Sequence, residues 1–220
     1  DRTERRLVNT YLSLKYAIPI IQGIEPDLKD YWAKDSSHYW DANKDKAFYL
    51  RVMGLGADSD QKFYQTQSIA ETGKYFKIAL DSPAVAGSMP RSWVAQEGFV
   101  IFAERKGAPT YTSGYCGTVS SGENPLERWK FKATDQWRTW ATRIVIDVER
   151  PSGTIADSIY YTDGTNYYHA PWVYRDAKII RYQVDLSNIQ TGKNYMFTKR
   201  SSSTQSCDDV LVSDLGTGIS

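Results

Sequence analysis

Apolar residues recur at two different periods along this chain, and the change comes near residue 46. Leu7, Tyr11, Leu14 and Ile18 follow the helical spacing, and Pro19 stops the run. Asp1 and Glu4 stand three apart at its start, the spacing of a capping box. A weaker helical or irregular stretch follows Pro26 through Leu28, Tyr31 and Trp32. Residues 1–45 therefore read as a segment that packs on, or projects from, a main domain over 46–220. From Ala47 the period drops to two. Phe48, Leu50 and Val52 alternate with Tyr49 and Arg51, the pattern of a half-buried strand. Further strands are predicted over 62–67, 74–80, 98–104, 128–133, 138–149, 155–161, 178–186, 194–199 and 209–213. Turn signals such as Asp81-Ser82-Pro83, Pro151-Ser152-Gly153, Asp163-Gly164 and Thr191-Gly192 separate them. The cleanest is the alternation of Ile180, Tyr182, Val184 and Leu186 with Arg181, Gln183 and Asp185.

About ten strands with so little helix predict an all-β antiparallel sandwich or jelly roll with a short helical N-terminal segment. A dinucleotide-binding fold would need helices between its strands. Gly54-x-Gly56 lacks the third glycine as well, and reads as a turn. With 220 residues, 41% of them hydrophobic and 24% charged, the chain can bury a full core. A formal charge of +1 gives no reason to expect nucleic acid as the partner, though a local basic patch would still take an anionic polysaccharide. No window approaches a membrane span. The chain begins at Asp1, which suits a processed product, and carries no Asn-x-Ser/Thr acceptor.

Cys116 and Cys207 lie beside small and polar residues. A disulfide between them would close a loop of about 90 residues and contribute about 4 kcal/mol in the chain-entropy picture, which implies an oxidising, extracellular setting. Two buried thiols are the alternative. No Cys-x-x-Cys spacing supports structural zinc.

Three stretches share their order with a known architecture. Trp137-Arg138-Thr139-Trp140 opens a long strand through Ile144 and Val148. Gly153-Thr154-Ile155 then leads to Tyr160-Tyr161-Thr162-Asp163-Gly164, and Asp208-Asp209-Val210-Leu211-Val212-Ser213 closes the series. Over residues 46–219 this order resembles the concanavalin A-like jelly rolls, the scaffold of many lectin-type domains and polysaccharide lyases. The acidic and glycine-bearing opening strand usual there is absent, and the helical segment stands in its place. The resemblance implies a secreted sugar-binding protein. It also implies that Asp208 and Asp209 hold a structural calcium ion, against the plainer reading of an acidic turn. No other cofactor is implied. Asp41-Ala42-Asn43-Lys44-Asp45 is no EF-hand, because Lys46 stands where glycine is needed and Val52 where the glutamate belongs.

Aromatic content sharpens the picture, with 16 Tyr, 7 Trp and 7 Phe. Such residues suit pleated surfaces, and their faces also stack on sugar rings. Residues 160–175 concentrate them, and Tyr161, Asn166, Tyr168, Trp172 and Arg175 are candidate ligand contacts. Tyr49 with Arg51 on one strand, and Arg181 with Gln183 on another, sit opposite apolar neighbours and are expected to face outward. A lyase would need a group to neutralise the sugar carboxylate, a base and an acid. The resemblance assigns these tasks to Tyr167, His169 and Arg181, although neither histidine has the Gln-x-His context of such lyases. Solvated strand faces explain the same arginines without any ligand. Serine-hydrolase, P-loop and His-Glu-x-x-His motifs are all missing. The sequence thus points first to an extracellular carbohydrate-binding protein that recognises a polysaccharide. A lyase for a uronic-acid polymer and a structural subunit that self-assembles through residues 1–45 are the alternatives.

Overall fold

A computed structural model describes residues 2–22, 27–28, 31–32, 38–41, 45, 47–58, 63–70, 74–80, 98–106, 125–134, 143–150 and 158–198. Helix α1 (Arg2–Tyr16) comes first, followed by the short strands β1 (Ile21–Gln22), β2 (Asp27–Leu28), β3 (Tyr31–Trp32) and β4 (His38–Trp40). The main sheet is made of β5 (Phe48–Asp58), β6 (Phe63–Gln65), β7 (Gln67–Ala70), β8 (Phe76–Leu80), β9 (Gly98–Arg105), β10 (Trp129–Ala133), β11 (Arg143–Glu149), β12 (Ser158–Thr162), β13 (Tyr167–Arg175), β14 (Ile179–Asp185) and β15 (Asn194–Thr198). The expected strand over 209–213 and the start of the 138–149 strand lie outside the described residues.

The helix ends two residues before the predicted stop. Pro19 bars Ile18 from helical geometry, so Ala17 turns into the left-handed region at φ 53°. The Ile18 N–H then donates to the Ser13 carbonyl at 3.2 Å, a C-terminal cap of the Schellman kind. The helix buries Thr10, Ser13, Leu14 and Ala17 and leaves Val8, Leu12 and Tyr16 exposed, with Ile18 just beyond it. Two small polar residues, Thr10 and Ser13, lie on that buried face, while Glu4, Arg5 and Arg6 are exposed. The sheet supplies what that face needs, because Gln65 and Ser68 both donate to the Leu14 carbonyl.

Eleven strands form one sheet in the order β6-β5-β9-β10-β15-β12-β13-β14-β11-β8-β7, every pair antiparallel. Strands β6 and β7 are its two edges, yet only Thr66 separates them in sequence. That single-residue link forces the edges together and curls the sheet into a nearly closed, barrel-like layer. The Thr66 carbonyl is itself tied down by the Leu80 N–H at 3.0 Å. Among the described residues the fold is therefore all-β with one short α-helix.

The curled sheet encloses a core with residues from β5 and β7–β15 and from the short turns Pro125–Arg128 and Leu186–Asn188, among them Met53, Phe102, Phe131, Tyr161, Tyr182 and Ile146. Phe131 stacks on Phe102 at 5.0 Å and on Tyr195 at 5.3 Å, and Phe76 lies 3.8 Å from Trp129. Such pairs contribute about 0.5–1.5 kcal/mol each beyond the area they bury. A second core lies outside the sheet, where Leu14, Tyr31, Tyr39 and Trp40 cover Phe48, Val52, Phe99, Ile101 and Met196. Strands β5 and β9 are thus buried on both faces. Gly56 permits the tight fit there, since a Cβ on it would meet the Gly98 carbonyl oxygen at 2.4 Å.

This double coverage overturns one expectation. Phe48 and Val52 face the outer core, while Arg51 shares the inner side with Met53 and Leu55. Arg51 is buried and donates to Glu104 at 2.5 Å and to the Lys74 carbonyl at 2.7 Å, with its guanidinium 5.3 Å from the Trp129 ring centroid. Alternation alone does not tell a half-buried strand from one with a core on each side.

Candidate functional site

Three strands with strict alternation build one open face. On β14 the even residues Ile180, Tyr182 and Val184 are buried, so Arg181, Gln183 and Asp185 point away from the core. On β11 the buried Ile144, Ile146 and Val148 leave Val145 and Asp147 on the same outer side. On β8 the buried Phe76 and Ile78 do the same for Lys77 and Ala79. Antiparallel register then aligns Lys77, Asp147, Arg181 and Tyr174 in a row across β8, β11, β14 and β13.

Arg181 is held rigidly in that row. Its Nε and Nη2 donate to the two oxygens of Asp147 at 2.6 and 2.8 Å, a forked pair that fixes the guanidinium plane. Asp147 is 4% exposed, so its charge is covered by the arginine. The guanidinium carbon also lies 6.0 Å from the Tyr174 ring centroid. Tyr174 is 47% exposed and donates its hydroxyl hydrogen to Asp176 Oδ2 at 3.1 Å. That carboxylate pushes the phenol pKa above its ordinary value. Asp176 itself accepts from the backbone N–H groups of Lys178 and Ile179, which close the β13–β14 hairpin and hold its carboxyl below the usual range. At the edge of the row, burial raises the Tyr75 phenol, and the Asp147 charge adds to the effect.

Two shallow clefts run along this face. One, of about 450 Å³, is bounded by Lys77, Val145, Asp147, Val173, Tyr174 and Arg181. The other, of about 460 Å³, lies among Tyr160, Tyr167, Tyr168, His169, Pro171 and Asn188. Gln183 lines both, so the two lie next to each other as the halves of a shallow groove along β14.

The sequence candidates scatter around this groove. Arg181, Gln183, Tyr167, Tyr168 and His169 line it. His169 is exposed, and its ring sits 5.2 Å from that of Tyr160, its cross-strand partner. Trp172 and Arg175 lie further along β13, the guanidinium 4.7 Å from the indole, and line neither cleft. Asn166 sits in the exposed hairpin turn, where Asp163 Oδ1 accepts its backbone N–H at 2.8 Å. Tyr161 is fully buried, which corrects its reading as a ligand contact. Its hydroxyl donates to the Asp185 carbonyl at 3.1 Å and accepts from Asn188, and burial drives its pKa up. Tyr49 belongs to β5 at the other end of the sheet order, with the Lys106 ammonium 5.5 Å from its ring. Cys116, Cys207, Asp208 and Asp209 lie outside the described residues. Among the described residues no three His, Cys, Asp or Glu groups converge as a metal site would require.

Sequence reading missed Lys77, Asp147 and Asn188, and held Tyr160 and Tyr174 only as members of the 160–175 aromatic cluster. Asp147 and Lys77 lie 34 and 104 residues before Arg181 (181 − 147 and 181 − 77), so only strand register brings them together. Their one local signal was a charged residue on the polar side of an alternating strand. Among the described residues no helix is long and apolar enough to cross a membrane.

With this geometry in view, comparison with protein families gives one match. A family described as a domain of unknown function, DUF8202, matches residues 4–213, and the chain belongs to that family. No curated protein and no solved structure matches it.

Proposed function

We propose that this member of the DUF8202 family is an extracellular carbohydrate-binding protein that takes a polysaccharide chain along the groove on β14. The exposed Tyr174 ring beside the immobilised Arg181 guanidinium carries the reading. Sugar recognition calls for an apolar platform next to planar donors already locked in place, because pre-ordered groups lose little entropy on binding. Gln183 adds an amide between the two clefts, and the open groove suits a chain passing through better than an enclosed small molecule. A two-layered jelly roll of the concanavalin A-like kind is part of the proposal. The contact of Phe76 on β8 with Trp129 on β10, strands with five others between them in the sheet order, supports two facing layers.

Affinity electrophoresis against a panel of neutral and acidic polysaccharides tests the function. Tyr174→Ala is expected to weaken binding about tenfold, or about 1.4 kcal/mol. Binding to no polysaccharide, or unchanged affinity in the variant, would sink the reading. A lyase is the second reading, favoured by Tyr160, Tyr167, His169 and Gln183 meeting in one cleft. Elimination creates a conjugated double bond, so rising ultraviolet absorbance in the same mixtures, lost in His169→Ala, would select it. Flat absorbance would remove it.

A further inference from the structure

The two halves of the groove offer different chemistry. The Tyr174 half holds two cations, Lys77 and Arg181, and one acid, Asp147. Both Asp147 oxygens are taken by Arg181. Lys77 stands directly across the β8–β11 pairing from Asp147, yet among the described residues it forms no ion pair or side-chain hydrogen bond. Among the residues lining this half, two cations against one acid leave one positive charge, at Lys77, while the Asp176 carboxylate is held outside the lining by the Tyr174 hydroxyl and the hairpin N–H groups. The walls around it are apolar, formed by Ala79, Leu80, Val145 and Val173.

The other half has no lysine or arginine in its lining. Its one acid, Asp185, caps the short turn Leu186–Asn188, where Oδ1 accepts from the Ser187 N–H and hydroxyl at 2.9 and 2.7 Å, and a carboxylate there repels an anion. What faces a ligand there is Tyr160, Tyr167, His169 and Pro171, rings and hydroxyls without a cation. Arg181 and Asp185 are four residues apart on β14, so the groove runs about 13 Å between its two characters, at roughly 3.3 Å per strand residue.

We propose that the groove selects a mixed glycan, an acidic sugar joined to a neutral one, a claim that rests on the carbohydrate-binding reading. The carboxylate or sulfate of the acidic unit meets Lys77 while its ring lies on Tyr174. The neutral neighbour packs among Tyr160, Tyr167 and His169, and Gln183 bonds to the linkage between them. A neutral chain leaves the Lys77 charge unanswered, and a chain acidic at every unit sets an anion in the half that has no cation to receive it.

Titration calorimetry with four hexasaccharides separates the alternatives. Hyaluronan alternates a carboxylate-bearing sugar with a neutral one, and keratan sulfate presents sulfate on alternate sugars. Desulfated keratan is neutral, and oligogalacturonate is acidic throughout. One or both alternating acidic chains are expected to bind about tenfold tighter than the other two, and which of them binds identifies the anion. Lys77→Gln should remove that advantage and flatten its salt dependence, and Lys77→Arg should restore both. Lys77 is only half-buried, so both variants are expected to melt with the wild type. Equal affinity for desulfated keratan, tighter binding of oligogalacturonate, or acidic binding that survives Lys77→Gln would overturn the selectivity and leave carbohydrate binding standing. Wild type that binds none of the four, nor any polysaccharide in the wider panel, would overturn both.

Discussion

On β10, Lys130 and Lys132 stand on the opposite side of the strand from the core residues Trp129, Phe131 and Ala133, as Arg181 and Gln183 do from Tyr182 on β14. The two strands carry the same alternation, and their charged residues end in opposite surroundings. Lys130 and Lys132 are 1% and 3% exposed, while the Arg181 side chain is 39% exposed. Over β10 lies Trp40, whose ring is 5.7 Å from the Lys130 ammonium and 4.9 Å from that of Lys132. Lys130 is also ion-paired with the buried Asp45. Among the described residues no tryptophan or buried acid like Trp40 and Asp45 stands over Arg181 and Lys77. A polar strand face therefore becomes either a structural charge network or a ligand surface, according to what the N-terminal segment covers.

Breaking the buried pair should have the largest effect. Asp45→Ala leaves Lys130 buried without its carboxylate, and the expected loss is about 3–5 kcal/mol by urea denaturation. A loss under about 1 kcal/mol would mean that water reaches this face and that the two faces differ little. Arg181→Ala is the matching change on the open side. Asp147 then loses both donors, but the vacated space admits solvent, and a cost of only about 1 kcal/mol is expected alongside weakened glycan binding. Equal costs for the two variants would erase the contrast.

The smallest effect concerns acid. Burial raises the Asp163 pKa, but the N–H groups of Asn166 and Thr165 and the Lys193 ammonium outweigh it and hold the carboxyl below its ordinary value. A depressed folded-state pKa stabilises fully above the unfolded value, near about 4, and the contribution fades as pH falls through the folded one. Asp163→Asn keeps the turn acceptor without the charge, so its thermal melts should lose less stability on acidification than the wild type. Parallel acid limbs would show that the turn carries no such linkage.

Strand legibility followed the same division. The strands of the open face were read within a few residues, because one buried face imposes a clean period of two. Strand β13 was read only as an aromatic cluster. Pro171 within it is a breaker signal, yet it pairs opposite Ser158, and the register shifts just beyond, between Trp172 and Tyr174. On β5 the period was visible and its meaning was reversed, because apolar residues on both sides serve two different cores.

The sequence by itself determined the first helix, most strands of the main sheet and the outward placement of Arg181 and Gln183. These depend on local periodicity and on turn residues that act within a few positions. It did not determine the short strands β2–β4, which stand where a helical or irregular stretch is expected. Tertiary structure alone decided that Arg51 and Tyr161 are buried, that Lys77 and Asp147 join Arg181, and that one polar face stays open. Register and coverage depend on groups tens of residues apart, and solvent exposure belongs to the packed assembly of segments, which no single segment encodes.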